Sequence, residues 1–275
     1  MDIVFIGSSP LGLKKLAESA RFSVVDVLCL KKRVTDELIQ VAESLNLQVK
    51  LFDWIKDFKT LVHAYDESMP FFIYQLDMLV PAGLTAKYNF YNLHRGDLKL
   101  NRGPNPDVWP ILLGFETTTM SLHQINDKID AGVLISTYDV QILPDDDTQS
   151  VKAKLEGGLP ELIESTYQFI IGNIRGKEIE DGDYRPWVTE IDFTIDPVKD
   201  SVVVMDRKIR CQRQYNGAIL MIDGQKRYVT EVFSTKPETT TDIIKIKQGE
   251  QDIFFRENIN PKYPPPPKFP VSKRI

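Results

Sequence analysis

Cysteine and histidine are scarce in this chain, which has two cysteines and three histidines among 275 residues. Cys29 and Cys211 form no Cys-x-x-Cys pair, so we expect two reduced thiols rather than a disulfide or a thiolate zinc site. The histidines are not spaced as metal ligands, and we expect no metal. Residues 1–7 have no basic segment and only a short apolar run, which argues against a signal peptide or a membrane span. Together these features predict a cytoplasmic protein.

A surplus of positive charge is also missing, since the formal net charge is −5 at pH 7. Binding to nucleic acid generally needs a basic face, so we expect no nucleic-acid partner. No serine or cysteine lies in a nucleophile elbow, which disfavours covalent catalysis and favours direct transfer to an external nucleophile. The length suits one large domain, or one medium and one small domain.

The first half of the chain alternates short apolar runs with helical patterns. The apolar runs predict strands at residues 2–7, 24–30, 48–52, 71–74 and 90–93, with helices at residues 13–20 and 35–45 between them. Such alternation predicts an α/β fold, a Rossmann-like and mostly parallel sheet with helices on both faces. The turn at residues 7–12 resembles a dinucleotide fingerprint only loosely, because its middle glycine is replaced by Ser9 and a proline follows.

The second half predicts a different architecture. A long helical pattern over residues 149–174 contains Gly157 and Gly158, which bend or break it, and residues 107–113 predict a short helix capped by Asp107. Short apolar runs predict strands at residues 202–205, 218–222, 227–232 and 243–246. The charged connector at residues 176–185 is the best domain boundary. We therefore predict three segments: a first domain at residues 1–180, a small β-rich C-terminal domain at residues 186–260 and a proline-rich tail at residues 261–275.

Polar side chains lie in and after two of the predicted strands. Asn92 and His94 are two residues apart, so on a strand they point the same way, and Asp130 lies in a second polar turn. Polar loops that follow strands can meet at one edge of a sheet, which makes these three residues a candidate trio. A carboxylate orients an imidazole for proton transfer, and an amide can stabilise an oxyanion. A polar strand end followed by a solvated loop is the alternative interpretation.

Around these residues the sequence resembles the formyltetrahydrofolate-dependent formyltransferases. The resemblance runs from Met1 to about Gly172 and rests on three motifs: Asn92-x-His94, Arg102-Gly103-x-Asn105-Pro106 with Trp109, and Ile129-Asp130-x-Gly132 before a strand. Within the family, residues 101–110 look most like the enzymes that formylate amino sugars on nucleotides. The C-terminal β domain resembles its family counterpart more weakly.

The resemblance implies an activity and a set of site residues. The activity is transfer of a formyl group from N10-formyltetrahydrofolate to the primary amine of a nucleotide-linked deoxyamino sugar, by a homodimer whose catalytic domain is residues 1–180. The catalytic positions correspond to Asn92, His94 and Asp130. The folate-binding positions correspond to Met78, Leu79, Val80, Asn126, Asp127 and Ile129.

Four further residues are candidates for contacts with the sugar nucleotide. Arg102 could grip a pyrophosphate through two hydrogen bonds. Asn105 and Trp109 could shape the sugar pocket, although Trp109 also suits core packing at the start of a helix. Tyr215 could stack on the base.

Some positions depart from the family pattern. Arg95 and the segment Gly96-Asp97-Leu98-Lys99 follow the histidine, Lys128 stands where a glycine is common, and Val133 where an aspartate is common. Two alternatives therefore stay open. One is a methionyl-tRNA formyltransferase, for which a basic surface is expected. The other is a folate- or nucleotide-binding sensor that has lost catalysis.

Overall fold

The computed structural model describes residues 1–179, 181–239 and 241–262. Contacts group this part of the chain into two compact units. The first unit contains Met1–Arg102, Thr119–Asp139 and the described residues of Leu155–Tyr184. The second unit contains Gly103–Thr118, Val140–Lys154 and the described residues from Arg185 onward. The domain boundaries expected from the sequence remain a prediction, and the proline-rich tail lies outside the described residues from residue 263 onward.

The strands and helices have the following bounds. The first sheet contains β1 (Asp2–Gly7), β2 (Ser23–Leu30), β3 (Val49–Phe52), β4 (Pro70–Tyr74), β5 (Asn89–His94), β6 (Thr117–Ile125), β7 (Gly132–Gln141) and β8 (Lys177–Ile179). The second sheet contains β9 (Thr194–Ile195), β10 (Ala218–Ile222), β11 (Gln225–Phe233), β12 (Ile243–Gln248) and β13 (Gln251–Glu257). The helices are α1 (Pro10–Glu18), α2 (Asp36–Ser44), α3 (Ile55–Val62), α4 (Ala82–Thr85), α5 (Trp109–Leu113), α6 (Thr148–Glu156), α7 (Leu159–Ile170), α8 (Glu190–Phe193) and α9 (Val202–Gln212).

The first sheet has the strand order β3-β2-β1-β4-β5-β6-β7-β8. Strands β1 to β5 pair in parallel, whereas β6 pairs antiparallel with β5 and β8 pairs antiparallel with β7. The four residues from Ile3 to Ile6 in the central strand β1 are fully buried, as expected for a parallel strand covered on both faces. The predicted α/β fold with a mostly parallel sheet and a second, smaller sheet is confirmed.

Local sequence signals explain where the first helices begin. The Ser9 hydroxyl accepts a hydrogen bond from the Gly12 backbone N–H at 3.0 Å, and Pro10 occupies the first helical position of α1. Thr35 caps α2 in the same way through the Leu38 N–H. The Tyr74 ring lies against Gly12, where an added Cβ would be 2.6 Å from the ring. An aromatic side chain thus fills the space beside the turn that loosely resembled a dinucleotide fingerprint.

The second unit corrects one strand prediction. Residues 202–205 form the first turn of α9 rather than a strand. The β-branched run Val202-Val203-Val204 favours a strand locally, but the Ser201 hydroxyl caps the Val204 N–H, and Met205 and Ile209 lie one helical turn apart. Both are fully buried in the core of the second unit. Helical periodicity toward this core therefore outweighs β propensity.

Of two further predictions about helices, the cap at Asp107 is wrong and the break at Gly157 and Gly158 is confirmed. Asp107 does not cap α5, because the residue before the helix is Val108 and makes no side-chain capping bond. The break expected at Gly157 and Gly158 is confirmed, since α6 ends at Glu156 and α7 begins at Leu159. A Cβ on Gly158 would lie 2.3 Å from the Tyr138 ring, so close packing explains why a glycine stands there.

Candidate active site

Strand β5 brings Asn92 and His94 into the interior of the first sheet. In the antiparallel pairing with β6, Asn92 lies opposite His123 and His94 lies opposite Ser121. His94 has 7% of its surface exposed and His123 has 1%. His123, which was not among the predicted site residues, therefore lies beside the predicted trio. The only signal for it in the sequence is that His123 alternates with Thr119 and Ser121 across residues 117–125, a pattern that predicts a strand with these three side chains on one face.

The hydrogen bonds of His123 determine its tautomer. Burial lowers the pKa of His123 to about 4, so the ring is neutral at pH 7 and carries one N–H. Its Nδ1 lies 3.1 Å from the carbonyl oxygen of Ala131, which can only accept, so the hydrogen is on Nδ1. Nε2 then accepts from the Asn92 amide nitrogen at 3.0 Å. His123 thus fixes which way the Asn92 amide points.

This buried histidine predicts a pH dependence of stability. Folding lowers the His123 pKa from 6.5 to about 4, so the unfolded chain binds the proton more readily. The contribution is fully present above about pH 6.5 and is lost as the pH falls toward 4, by about 3 kcal/mol in total. Urea denaturation across this range measures the loss. The variant His123→Gln should be less stable at pH 7, and its free energy of unfolding should fall less steeply as the pH is lowered. If the free energy fell equally steeply in the variant and the native chain, the assignment to His123 would be wrong.

His94 lies between a carbonyl and a carboxylate. Its Nε2 is 2.8 Å from the backbone oxygen of Asn101, and because a carbonyl only accepts, Nε2 carries a hydrogen. Its Nδ1 is 3.7 Å from Oδ1 of Asp130, which sits in a left-handed turn with φ +44°. The structure therefore brings His94 and Asp130 together, and Asn92 joins them through His123 and the carbonyl of Ala131, the residue after Asp130.

The loop after β5 is closely fitted around the histidine. A Cβ on Gly96 would lie 2.7 Å from both the His94 Nε2 and the Asn101 carbonyl oxygen, so this departure from the family pattern needs a glycine. The Ser121 hydroxyl donates to the Gly96 carbonyl at 2.8 Å. Asp97 accepts from the backbone N–H of Lys99 at 2.6 Å. The unusual segment is thus an ordered turn that delivers the Asn101 carbonyl to His94.

Arg102 is buried and already engaged. Its Nε donates to the Leu98 carbonyl at 2.5 Å and its Nη2 to the Asp181 carbonyl at 3.0 Å. The Arg102 backbone N–H also donates to the carbonyl of Asp183 at 2.9 Å. Arg102 therefore ties the loop to residues 181–184, and gripping a pyrophosphate, which stays a prediction, would require these bonds to be exchanged.

The other three predicted sugar-nucleotide residues belong to the second unit. Asn105 has φ +58° and accepts from the Val188 backbone N–H at 3.3 Å. The Trp109 indole N–H donates to the Pro186 carbonyl at 3.0 Å. Tyr215 is 50% exposed. The contacts of Asn105 and Trp109 anchor residues 186–188, and their role toward a substrate stays a prediction.

The predicted folate segments are both loops. Met78 and Val80 pack on the core of the first unit, while Leu79, between them, is 59% exposed. In the second loop Ile129 is 41% exposed, Asp127 is exposed, and Asn126 accepts from the Lys128 backbone N–H at 2.9 Å. Each loop presents an apolar side chain to solvent, which suits a flat aromatic ligand ring.

Arg95, another departure from the family pattern, is accommodated by an aromatic contact. Its guanidinium lies 5.8 Å from the centre of the Tyr74 ring. Burial raises the pKa of Tyr74 to about 12, and its hydroxyl donates to Glu156 at 3.0 Å. Arg95 thus belongs to a packed polar cluster, and it leaves the hydrogen bonds of His94 intact.

Two classes of site are not found in the described part of the chain. Residues 1–179, 181–239 and 241–262 contain no group of three or more His, Cys, Asp or Glu side chains placed to hold a metal ion. None of the helices described in these ranges has the length and apolar character needed to cross a membrane.

Comparisons with known proteins point to formyltransferases. The methionyl-tRNA formyltransferase of Buchnera aphidicola subsp. Schizaphis graminum is 30% identical over 149 residues, which are 53% of this chain and 44% of that protein. The sugar 3N-formyltransferase WlaRD, crystallised with dTDP and 5-N-formyl-THF, has a TM-score of 0.67 at 16% identity, covering 94% of this chain and 98% of that one. A 4-N formyltransferase from Francisella tularensis has a TM-score of 0.66 at 22% identity, covering 82% and 94%.

These matches define the class of protein. The chain has the formyltransferase fold, and its resemblance to the formyltransferase family is confirmed. In sequence it is related to methionyl-tRNA formyltransferases, of which it spans about half the length, and in fold it is similar to sugar N-formyltransferases. No protein-family model matches the sequence.

Proposed function

We propose that this protein transfers a formyl group from N10-formyltetrahydrofolate to the primary amine of a nucleotide-linked deoxyamino sugar. The observation that carries the proposal is the arrangement of Asn92, His94 and Asp130 with the buried His123. The amide donor of Asn92 and the N–H donor of His94 come from one strand face, as a developing oxyanion requires. The formyltransferase fold supports the same chemistry.

Each residue has a distinct part in the proposed reaction. The Asn92 amide nitrogen has two hydrogens, and its bond to His123 uses one, so the other can be donated to the formyl oxygen. The Nε2 hydrogen of His94 is donated to the Asn101 carbonyl, and a substrate oxygen has to compete with that carbonyl for it. Oδ1 of Asp130 lies 3.7 Å from Nδ1, beyond hydrogen-bond distance, and would pair with that nitrogen once it takes up a proton. The unprotonated amine attacks the formyl carbon. As the bond from that carbon to the folate nitrogen breaks, the imidazole and the carboxylate relay the proton lost by the amine to the leaving nitrogen.

The formyl donor is proposed from the loops beside this arrangement. N10-formyltetrahydrofolate supplies an acyl group on a nitrogen that leaves with its electron pair. The exposed apolar side chains of Leu79 and Ile129 suit contact with its ring, and the turn at Asn126 and Asp127 offers polar groups. WlaRD was crystallised with 5-N-formyl-THF, which supports a folate donor in this fold.

The acceptor is proposed from two observations. Two structural neighbours are sugar N-formyltransferases by name, WlaRD and an enzyme from Shewanella sp FDAARGOS_354, and this chain covers 98% and 99% of them. WlaRD was crystallised with dTDP. The net charge of −5 disfavours a tRNA acceptor. A methionyl-tRNA formyltransferase remains the second candidate, because the sequence relatives carry that name. A homodimer is part of the proposal.

A substrate panel tests the proposed function. Release of tetrahydrofolate from N10-formyltetrahydrofolate is measured with dTDP-, UDP- and GDP-linked amino sugars and, separately, with methionyl-tRNA. Turnover with at least one amino sugar and none with the tRNA is the expected result. Turnover with the tRNA alone would establish the second candidate. Folate binding, seen as a raised melting temperature, without turnover on any acceptor would instead favour the non-catalytic sensor.

A further inference from the structure

A groove in the second unit has the make-up of a ligand site. It is open to solvent and has a volume of about 450 Å³, within the range of small-molecule pockets. Its walls come from the end of α5, residues 114–116, residues 142–144, the start of α9 and strand β11. Its apolar members include Phe115, Leu143 and Val203, of which Leu143 is 51% exposed and Val203 59% exposed. Apolar side chains are thus presented to solvent around one concave surface.

The Arg207 guanidinium in this groove is available to bind a ligand. Arg207 has no hydrogen-bond or ion-pair partner within the ranges that the structure describes. Its neighbour Arg210 differs, because it is buried and donates to Asp206 at 2.7 Å and to the Asp146 carbonyl at 2.6 Å. Since Asp206 is engaged by Arg210, Arg207 has a guanidinium available for an anion.

The Arg207 side chain packs beside Gly114, the residue that ends α5. Gly114 ends α5 in the left-handed conformation with φ +75°, and a Cβ there would lie 2.0 Å from the guanidinium carbon of Arg207. The guanidinium therefore lies against the bare backbone of Gly114. A planar guanidinium at one side of this groove presents paired N–H donors, which match a carboxylate.

We propose that this groove binds a small monoanionic ligand, whose carboxylate pairs with Arg207 and whose apolar body lies against Phe115, Leu143 and Val203. A single negative charge fits better than a dianion, because the carboxylates of Glu116 and Asp206 also line the groove. The groove is lined by none of the residues to which the proposed formyl transfer assigns a role, so the two proposals can fail separately.

The probe for this site is 4-phenylbutyrate, with the neutral 4-phenylbutanamide as its matched comparison. Calorimetry on the full chain gives the dissociation constant, and amide NMR shifts locate the binding. We expect shifts at Gly114, Phe115 and Val203, and binding of the neutral amide weaker by about tenfold or more, because one charged pair is lost. Absence of binding at millimolar concentration would overturn the proposal, as would equal affinity for the two probes.

Variants give a second, separate readout. Arg207→Gln should weaken 4-phenylbutyrate by about tenfold while leaving the neutral amide unchanged. Arg213 is the residue just after α9 and does not line the groove. Arg213→Gln should therefore leave the affinities for 4-phenylbutyrate and for the neutral amide unchanged. Val203→Glu should abolish binding of the anion by repulsion. If Arg207→Gln binds as tightly as the native chain, Arg207 is not the anion partner and the proposal fails.

Discussion

Replacing Asn92 by alanine should lower the turnover of formyl transfer by about 100-fold or more, because in the proposed reaction its amide, which is hydrogen-bonded to His123, donates to the oxyanion. The effect should fall on kcat with little change in KM, since an oxyanion forms only in the transition state. Steady-state kinetics with the amino sugar that the substrate panel identifies measure both quantities.

Asn89→Ala is the matched control for this variant. Asn89 lies on the same strand, and its side chain accepts a hydrogen bond from Gln124 at 2.8 Å. It should lose a little stability and keep its turnover. If Asn92→Ala retained nearly full turnover while remaining folded, the catalytic assignment would be wrong even if the enzyme formylates amino sugars.

Gly132→Ala should destabilise the protein by about 2 kcal/mol or more and remove most of its activity. Gly132 has φ +111°, and a Cβ would lie 2.2 Å from the Gln124 carbonyl oxygen, a backbone atom that cannot turn aside. The displaced turn carries Asp130 and the Ala131 carbonyl, on which His94 and His123 depend. Chemical denaturation and an activity assay measure the two effects.

Gly224→Ala is the control that separates the cost of a positive φ from the cost of the steric clash expected in Gly132→Ala. Gly224 also has a positive φ, +76°, but nothing lies within 4 Å of its added Cβ. We expect a loss of only about 1 kcal/mol there, with full activity. Equal losses at the two glycines would show that the collision with Gln124 contributes nothing.

The sheet and the core of the candidate site follow from local patterns. Buried apolar runs such as residues 3–6, alternating with capped helices, predicted the mostly parallel sheet, because a strand covered on both faces has to be apolar throughout. The two-residue spacing of Asn92 and His94 placed them on one strand face, and in the structure Nδ1 of His94 lies 3.7 Å from Oδ1 of Asp130. The strands and their faces depend on residues close together in the sequence, and the carboxyl ends of neighbouring parallel strands lie at the same edge of a sheet. Both can therefore be predicted from local patterns.

Competing local signals were settled by long-range packing. The run Val202-Val203-Val204 is typical of a strand, yet it forms a helix because burial of Met205 and Ile209 in the second core outweighs the weaker β propensity. From the sequence, Arg102 was predicted to bind a pyrophosphate. Its guanidinium instead donates to carbonyls near and far along the chain, at Leu98 and Asp181.

The sequence by itself determined the fold class, the two loops of the candidate site and the types of side chain in them. Only the tertiary structure decided that His123 orients Asn92, that the Asn101 carbonyl accepts from His94, and that Arg207 faces an apolar groove without a partner among the described residues. The reason is physical. These contacts depend on the register between strands and on loop closure, and both are set by the total burial of many distant residues rather than by any local pattern.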